Sequence, residues 1–117
     1  MTADTDEKEV MVEDIQTAQE IFGAIVKIKP LTSLSFTLSN EGLTAVNETL
    51  RLIEWGIGKN KPKIKEAALS VLSPLVDSEP GMPNNVNLTE FELKALGEVL
   101  SVLERALSKN KDGVVTI

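Results

Sequence analysis

Two stretches of this chain, which start fifty residues apart, carry the same helical pattern. Residues 43–61 read LTAVNETLRLIEWGIGKNK, and residues 93–111 read LKALGEVLSVLERALSKNK. Leucine and other apolar residues recur in both stretches at alternating steps of three and four, which is the spacing that lines one face of an α-helix. Both stretches end in Lys-Asn-Lys. The pattern predicts two equivalent amphipathic helices.

The residues in front of each stretch predict how these helices begin. Ser39 and Thr89 stand at the position of an N-cap, where a side-chain oxygen accepts a hydrogen bond from a free backbone N–H group. Thr89 and Glu92 together form a T-x-x-E capping box. Leu38 and Leu88, which precede the caps, complete the match as one half of a hydrophobic staple. We therefore infer an internal repeat with an offset of fifty residues.

Two further helices are predicted from apolar periodicity and from proline. Residues 7–28 form the first, which ends before Pro30 because proline cannot continue a helix. Residues 62–73 form the other, in which Pro62 suits the first turn. Pro74 is expected to kink this helix or to start a separate turn.

Three segments between and after the helices are not helical in pattern. Residues 33–38 alternate apolar and polar side chains, which predicts a short half-buried strand. Residues 77–85 contain two prolines, a glycine and two asparagines, which predict a loop. Residues 114–117 are mostly β-branched and favour a strand, which we expect to pair with residues 33–38.

Together these elements predict an all-α fold with at most a minor β-ribbon. The four helices are arranged as two helix–extended segment–helix units, residues 10–58 and residues 62–117, related by pseudo-twofold symmetry. Residues 1–9 are an acidic arm that we expect to be disordered and dispensable for folding. Residues 10–117 form a single helical domain.

Composition excludes several kinds of chemistry. The chain has 117 residues, a formal net charge of −6, and neither cysteine nor histidine. Disulfides, thiolate metal sites and cysteine nucleophiles are therefore absent, and so is the commonest general base. We expect no enzymatic activity, no metal and no cofactor.

The distribution of charge and hydropathy bears on partners and compartment. The first twenty residues carry seven acidic side chains and one basic side chain, so the remainder of the chain is neutral overall. A neutral-to-acidic chain argues against nucleic-acid binding. The longest apolar run, residues 21–28, is far shorter than the roughly 20 residues that span a membrane. We expect a cytoplasmic protein, because no targeting signal is visible and cysteine is not used.

The helix at residues 93–107 is predicted to carry the functional surface. Its leucine stripe, with Leu100 fully buried at the centre, is expected to face the core. A second stripe of small apolar side chains then lies near the surface, which is typical of an interface between two copies of a chain. We expect a homodimer with Trp55 at the rim of the interface. The predicted interface residues are Trp55, Ala95, Val99, Val102 and Ala106.

The sequence therefore favours a small non-enzymatic protein-interaction module that self-associates and binds another macromolecule, for example as an adaptor, an inhibitor, or a phage or plasmid accessory factor. One alternative is a binder of small anionic ligands or nucleotides, because a basic run surrounds Pro62. A second alternative is a DNA-binding transcriptional regulator. The residues expected to contact an anion are Lys59, Lys61, Lys63 and Lys65.

Overall fold

The computed structural model describes residues 9–57 and 61–116, which fold into four helices and two small antiparallel sheets of two strands each. The mainly helical fold with a minor β component confirms the predicted class. In chain order the elements are β1 (Glu9–Met11), α1 (Val12–Ile25), β2 (Ser33–Thr37), α2 (Asn40–Gly56), α3 (Pro62–Val76), β3 (Pro83–Asn87), α4 (Glu90–Leu107) and β4 (Val114–Thr116).

Helices α2 and α4 begin at the predicted caps. The Ser39 hydroxyl accepts a hydrogen bond from the Gly42 N–H group at 3.0 Å. The Thr89 hydroxyl accepts one from the Glu92 N–H group at 3.1 Å, and the Glu92 carboxylate accepts one from the Thr89 N–H group at 2.9 Å. Both N-caps and the capping box of α4 are therefore confirmed.

The helices pack around α2 and α4. Helix α1 packs on both of them, α3 packs on both of them, and α2 and α4 also pack on each other. The largest fully buried side chains come from all four helices and from strand β1, so the core is continuous through the described part of the chain. They are Val10, Ile15, Phe22, Val46, Leu52, Ile53, Leu72, Leu75, Leu96, Val99, Val102 and Leu103.

Strand β3 occupies part of the segment that we predicted as a loop, so that prediction was wrong from residue 83 onward. β3 pairs antiparallel with β2, and Ser35 lies opposite Asn85 at the centre of the pair. Pro83 is tolerated because it is the first residue of the strand. Asn85 and Asn87 are also tolerated, because they lie on the exposed outer face of this β2–β3 ribbon.

Strand β4 forms as predicted over residues 114–116, but it pairs with β1 and not with β2. Val10 and Val115 face each other across this pair, and each is at most 1% exposed. Burial of two valines explains why residues 9–11 extend into a strand although their sequence continues the helical pattern of α1. Helix α1 is therefore shorter than the helix predicted over residues 7–28, and Met11, which lies within that predicted range, is 48% exposed. Residues 1–8 of the predicted arm lie outside the described residues.

Helix α3 continues through Pro74 to Val76, beyond the predicted end at residue 73. A proline removes the bond that its own N–H group would donate to the carbonyl one turn earlier. Here the proline is exposed and lies in the last turn, where few bonds depend on it. The Asp77 N–H group still bonds the Ser73 carbonyl at 3.3 Å, so the last turn stays closed.

The burial of the two stripes of α4 differs from the prediction: the second stripe is fully buried, whereas in the leucine stripe Leu96 and Leu103 are buried and Leu93, Leu100 and Leu107 are half-buried. The small side chains of the second stripe are buried inside this chain, each at most 1% exposed: Ala95, Val99, Val102 and Ala106. Leu100, predicted to be fully buried, is only half-buried. The reason is the close approach of α2: a Cβ atom at Gly56 would lie 2.4 Å from Val102 Cγ1. Self-association stays a prediction, but these four side chains give no surface for it.

Candidate functional site: a groove beside strand β2

The β2–β3 ribbon has one exposed face and one half-buried face. Ser33, Ser35 and Thr37 of β2 are exposed, whereas Leu34 and Phe36 turn toward the helices and are half-buried. Within the described residues, each strand of the ribbon has a single partner strand, so the other edge of each strand is open. Such an edge offers backbone N–H and C=O groups to an additional strand.

An apolar groove of about 240 Å³ lies between β2 and α1. Isoleucine, alanine, leucine and phenylalanine side chains supply most of its walls, and no charged residue lines it. The lining residues are Ile21, Ala24, Ile25, Leu34, Phe36, Thr37 and Leu38. We call this the α1–β2 groove.

A second groove, of about 170 Å³, lies between β3 and α3 and is lined by polar and apolar residues in equal number. We call it the α3–β3 groove. Each residue that lines the α1–β2 groove has its counterpart, fifty residues later, among the residues that line this one. The lining residues are Ser70, Val71, Pro74, Leu75, Asn84, Asn85, Val86, Asn87, Leu88 and Glu92.

The chemistry of the two grooves differs at counterpart positions. Leu34 corresponds to Asn84, and Phe36 corresponds to the smaller Val86. These four residues are all half-buried and lie at the same places in their strands. A strand therefore forms in this setting with asparagine at that position, and the α1–β2 groove has the larger apolar lining.

A strained, exposed leucine precedes β2. Leu31 has a φ of 63° and is 69% exposed, and its N–H group bonds the Leu88 carbonyl at 2.7 Å. Its counterpart, Gly81, has a φ of 80° and bonds the Leu38 carbonyl at 2.9 Å. Left-handed backbone costs a non-glycine residue about 1 kcal/mol or more. Leu31 is therefore held in an unfavourable backbone conformation with most of its side chain in solvent.

Of the predicted anion-contact lysines that the structure describes, Lys61 and Lys63 line one concave surface, whereas Lys65 does not line it. Lys61 pairs with Glu98 at 2.8 Å, and Lys65 pairs with Glu54 at 2.6 Å. Lys63 lies beside the exposed Phe91 instead. Lys59 lies outside the described residues. Two of the four positive charges are thus compensated by carboxylates of the same chain.

Trp55, the remaining predicted interface residue, is half-buried at the end of α2 and packs against the core. The Lys109 amine lies 6.0 Å from the centre of its ring. That distance is at the outer limit of a cation–π contact. Its burial leaves only part of the ring for a partner.

Three glutamates of α2 and α4, Glu48, Glu54 and Glu98, take part in ion pairs at the surface. Glu48 pairs with Arg51 at 3.5 Å, and Glu98 pairs with Lys61. The hydrogen bond from Lys61 holds the pKa of Glu98 below its usual value, although partial burial opposes this. In residues 9–57 and 61–116, no group of three acidic side chains is arranged to hold a metal ion.

The sequence placed Leu34 and Phe36 on the inner face of a strand but did not reveal the groove beside them. The signal that could have done so is the fifty-residue repeat. When the repeat is extended by a few residues, it aligns β2 with the Asn-rich segment at residues 83–87. This alignment predicts the second strand, and it shows that asparagine replaces leucine at one position.

No family model, no curated protein and no solved structure matches this chain. Among the helices in the described ranges, none combines the length and the hydropathy that crossing a membrane requires.

Proposed function

We propose that this chain is a non-enzymatic protein-interaction module that holds an extended segment of a partner protein in the α1–β2 groove. The segment would lie along the open edge of β2 as an additional strand. Its apolar side chains would then enter the groove. This is recognition by strand addition, in which the backbone supplies affinity and the side-chain pockets supply specificity.

The observation that carries the proposal is the difference between the two grooves. Both are bounded by a helix and a strand at counterpart positions. Only the α1–β2 groove presents leucine and phenylalanine where the other presents asparagine and valine. Half-buried apolar side chains that the strand does not need are best explained by a ligand that buries them.

The lining also indicates the chemistry of the partner segment. No charged residue lines the α1–β2 groove, and residues 31–38 contain none. A charged side chain entering this groove would lose its hydration without gaining an ion pair. The segment is therefore expected to be uncharged, with apolar side chains at alternate positions.

Site-specific cross-linking in the native host tests this proposal. A photoreactive benzoyl-phenylalanine is placed at Thr37, beside the α1–β2 groove, and in a control at Asn87, its counterpart beside the α3–β3 groove. We expect an adduct with a defined protein from position 37 only. Equal adducts from both positions, or none from position 37, would overturn the proposal.

Binding of the purified cross-linked protein provides the quantitative test. Leu34→Asn should weaken its affinity by about tenfold or more, because the contact loses the burial of an apolar side chain worth about 1.5 kcal/mol or more. Asn84→Leu is the matched control and should leave the affinity unchanged. Because asparagine already occupies this position in β3, Leu34→Asn should lower the free energy of unfolding by less than about 1 kcal/mol.

We also propose that residues 10–58 and 62–117 are two units related by a pseudo-twofold axis through the centre of the β2–β3 ribbon. The pairing of Ser35 with its own counterpart, Asn85, supports this. So do the reciprocal bonds from Leu31 to Leu88 and from Gly81 to Leu38. An experimental structure tests the axis: residues 12–56 should superpose on residues 62–106 when the molecule is rotated by half a turn.

A further inference from the structure

A concave basic surface lies between the start of α3 and the start of α4. Phe91, which is 45% exposed, forms its floor with Pro62 and Ile64. Lys61, Lys63 and Lys94 complete its lining. We call these six residues the basic patch. Its volume is about 480 Å³, which is larger than that of either groove.

The positive charge of this patch is only partly compensated. The Lys61 amine is bonded to Glu98 at 2.8 Å. Among the described residues, neither Lys63 nor Lys94 is in an ion pair. Two lysines beside an exposed aromatic ring favour a partner that carries carboxylates next to an apolar side chain.

A surface of that chemistry exists on this chain, at counterpart positions in the other half. Met11, Glu13 and Asp14 stand fifty residues before Lys61, Lys63 and Ile64. Met11 is 48% exposed, and Glu13 and Asp14 form the acidic first turn of α1. We call these three residues the acidic patch.

Neither carboxylate of the acidic patch is in an ion pair with a described residue. Burial and the nearby Glu13 carboxylate raise the pKa of Asp14, and no positive charge counteracts this rise. No ion pair within the described part of one copy joins the acidic patch to the basic patch. The eight residues before Glu9 add three carboxylates and one lysine at this end of the chain.

We propose that a second copy of this chain docks its acidic patch on the basic patch of the first. Glu13 and Asp14 would face Lys63 and Lys94, and Met11 would lie against the Phe91 ring, a contact that sulfur and aromatic groups favour. The two patches are different surfaces, so each copy can donate one and accept with the other. The site is separate from the α1–β2 groove and does not depend on the function proposed above.

Sedimentation equilibrium of the full chain, with two charge-reversal variants, tests this proposal. The unmodified chain should associate at an ionic strength of about 0.01 M, where charges act over about 30 Å, and should dissociate toward monomers at about 1 M. Lys63→Glu with Lys94→Glu removes the basic patch. Glu13→Lys with Asp14→Lys removes the acidic patch. Each variant alone should raise the Kd of self-association by about tenfold or more.

Mixing the two variants separates docking from loss of folding. An equimolar mixture should regain association, because each variant keeps the patch that the other has lost. Lys27→Glu with Lys29→Glu is the control: it changes the net charge as much as the basic-patch variant does, at exposed positions outside both patches. It should associate like the unmodified chain.

Three outcomes would overturn the proposal. The first is an unmodified chain that stays monomeric at low ionic strength and high concentration. The second is a mixture that does not regain association although both variants melt as folded proteins. The third is an acidic-patch variant that associates normally while the basic-patch variant does not, which would assign the basic patch to a different acidic partner. Leu34→Asn should leave self-association unchanged, which keeps this test independent of the α1–β2 groove.

Discussion

The half of the chain before residue 58 and the half after residue 60 have the same order of helix, strand and helix but present different surfaces. Inside, counterpart positions carry similar side chains: Ile53 and Leu103 are both fully buried, and Ser39 and Thr89 both cap a helix. Outside, the first half offers an apolar groove and an acidic patch, whereas the second offers a groove of mixed polarity and a basic patch.

This difference separates the demands of folding from those of binding. A position that needs the same kind of side chain in both halves serves the fold. Where one half carries asparagine or glycine and the other carries a half-buried or exposed leucine, the fold accepts the smaller or polar residue. Under the proposed function, the extra apolar surface contacts a partner. Each half thus acts as a reference for the other, and substitutions at counterpart positions test which residues serve the fold.

The largest effect is expected from the shared core. Ile53→Ala and Leu103→Ala should each lower the free energy of unfolding by about 2–5 kcal/mol, because both remove fully buried apolar atoms. Urea unfolding measures this loss. Leu100→Ala, in the same helix but half-buried, should cost distinctly less. A cost below about 0.5 kcal/mol at either core position would mean that the halves do not share a core.

A smaller effect is expected where the halves differ inside the core. Gly56→Ala should cost about 1–3 kcal/mol, since its Cβ atom would lie 2.4 Å from Val102 Cγ1 and α2 would have to move. Gly97→Ala is the control. No neighbouring atom lies within 4 Å of a Cβ there, so it should stabilise α4 by up to about 1 kcal/mol. Thermal melting of both variants distinguishes crowding from a general effect of alanine.

The caps test whether the two helix starts are equivalent. Ser39→Ala and Thr89→Ala should each cost about 0.5–2 kcal/mol, because each leaves an N–H group of the first turn without its acceptor. Thr89→Ala should cost more, since the capping box of α4 has a second bond that depends on the same geometry. Equal and negligible losses in chemical denaturation would contradict the role assigned to both residues.

The smallest effect, and one of opposite sign, is expected at the turn before β2. Leu31→Gly should raise the free energy of unfolding by up to about 1 kcal/mol, because glycine adopts a positive φ without strain. Gly81→Leu should lower it by a similar amount. Thr32→Gly, next to the strained position, is the control and should not stabilise the chain. A destabilised Leu31→Gly variant would show that the leucine side chain serves the fold.

Local sequence signals predicted the four helices and the starts of α2, α3 and α4, but they did not predict the start of α1 or the pairing between distant segments. Ser39 and Thr89 act on N–H groups three residues away, so the sequence around them contains the whole interaction. Strand β3 depends on a partner about fifty residues distant, and its asparagines resemble a loop until that partner is known.

The periodicity of the sequence also did not predict which of the two stripes of α4 is more deeply buried. Both stripes are apolar and both have helical spacing. What decides between them is the close contact of Gly56 with Val102, which brings α2 against the small side chains. For the candidate site, the sequence predicted strand β2 and its inner face, but it did not predict that α1 forms the other wall of the groove.

Strands β1 and β4 have a consequence for the connectivity of the chain. They place Glu9 opposite Thr116 in an antiparallel pair, where partner Cα atoms are about 5 Å apart. A linker of a few residues would therefore join these two positions without disturbing a helix. The chain could then be opened between α2 and α3, and the circular permutant would run from α3 to β4, through the linker, and from β1 to α2. Every helix–helix contact of the present fold would survive in it, with the order of the two halves exchanged.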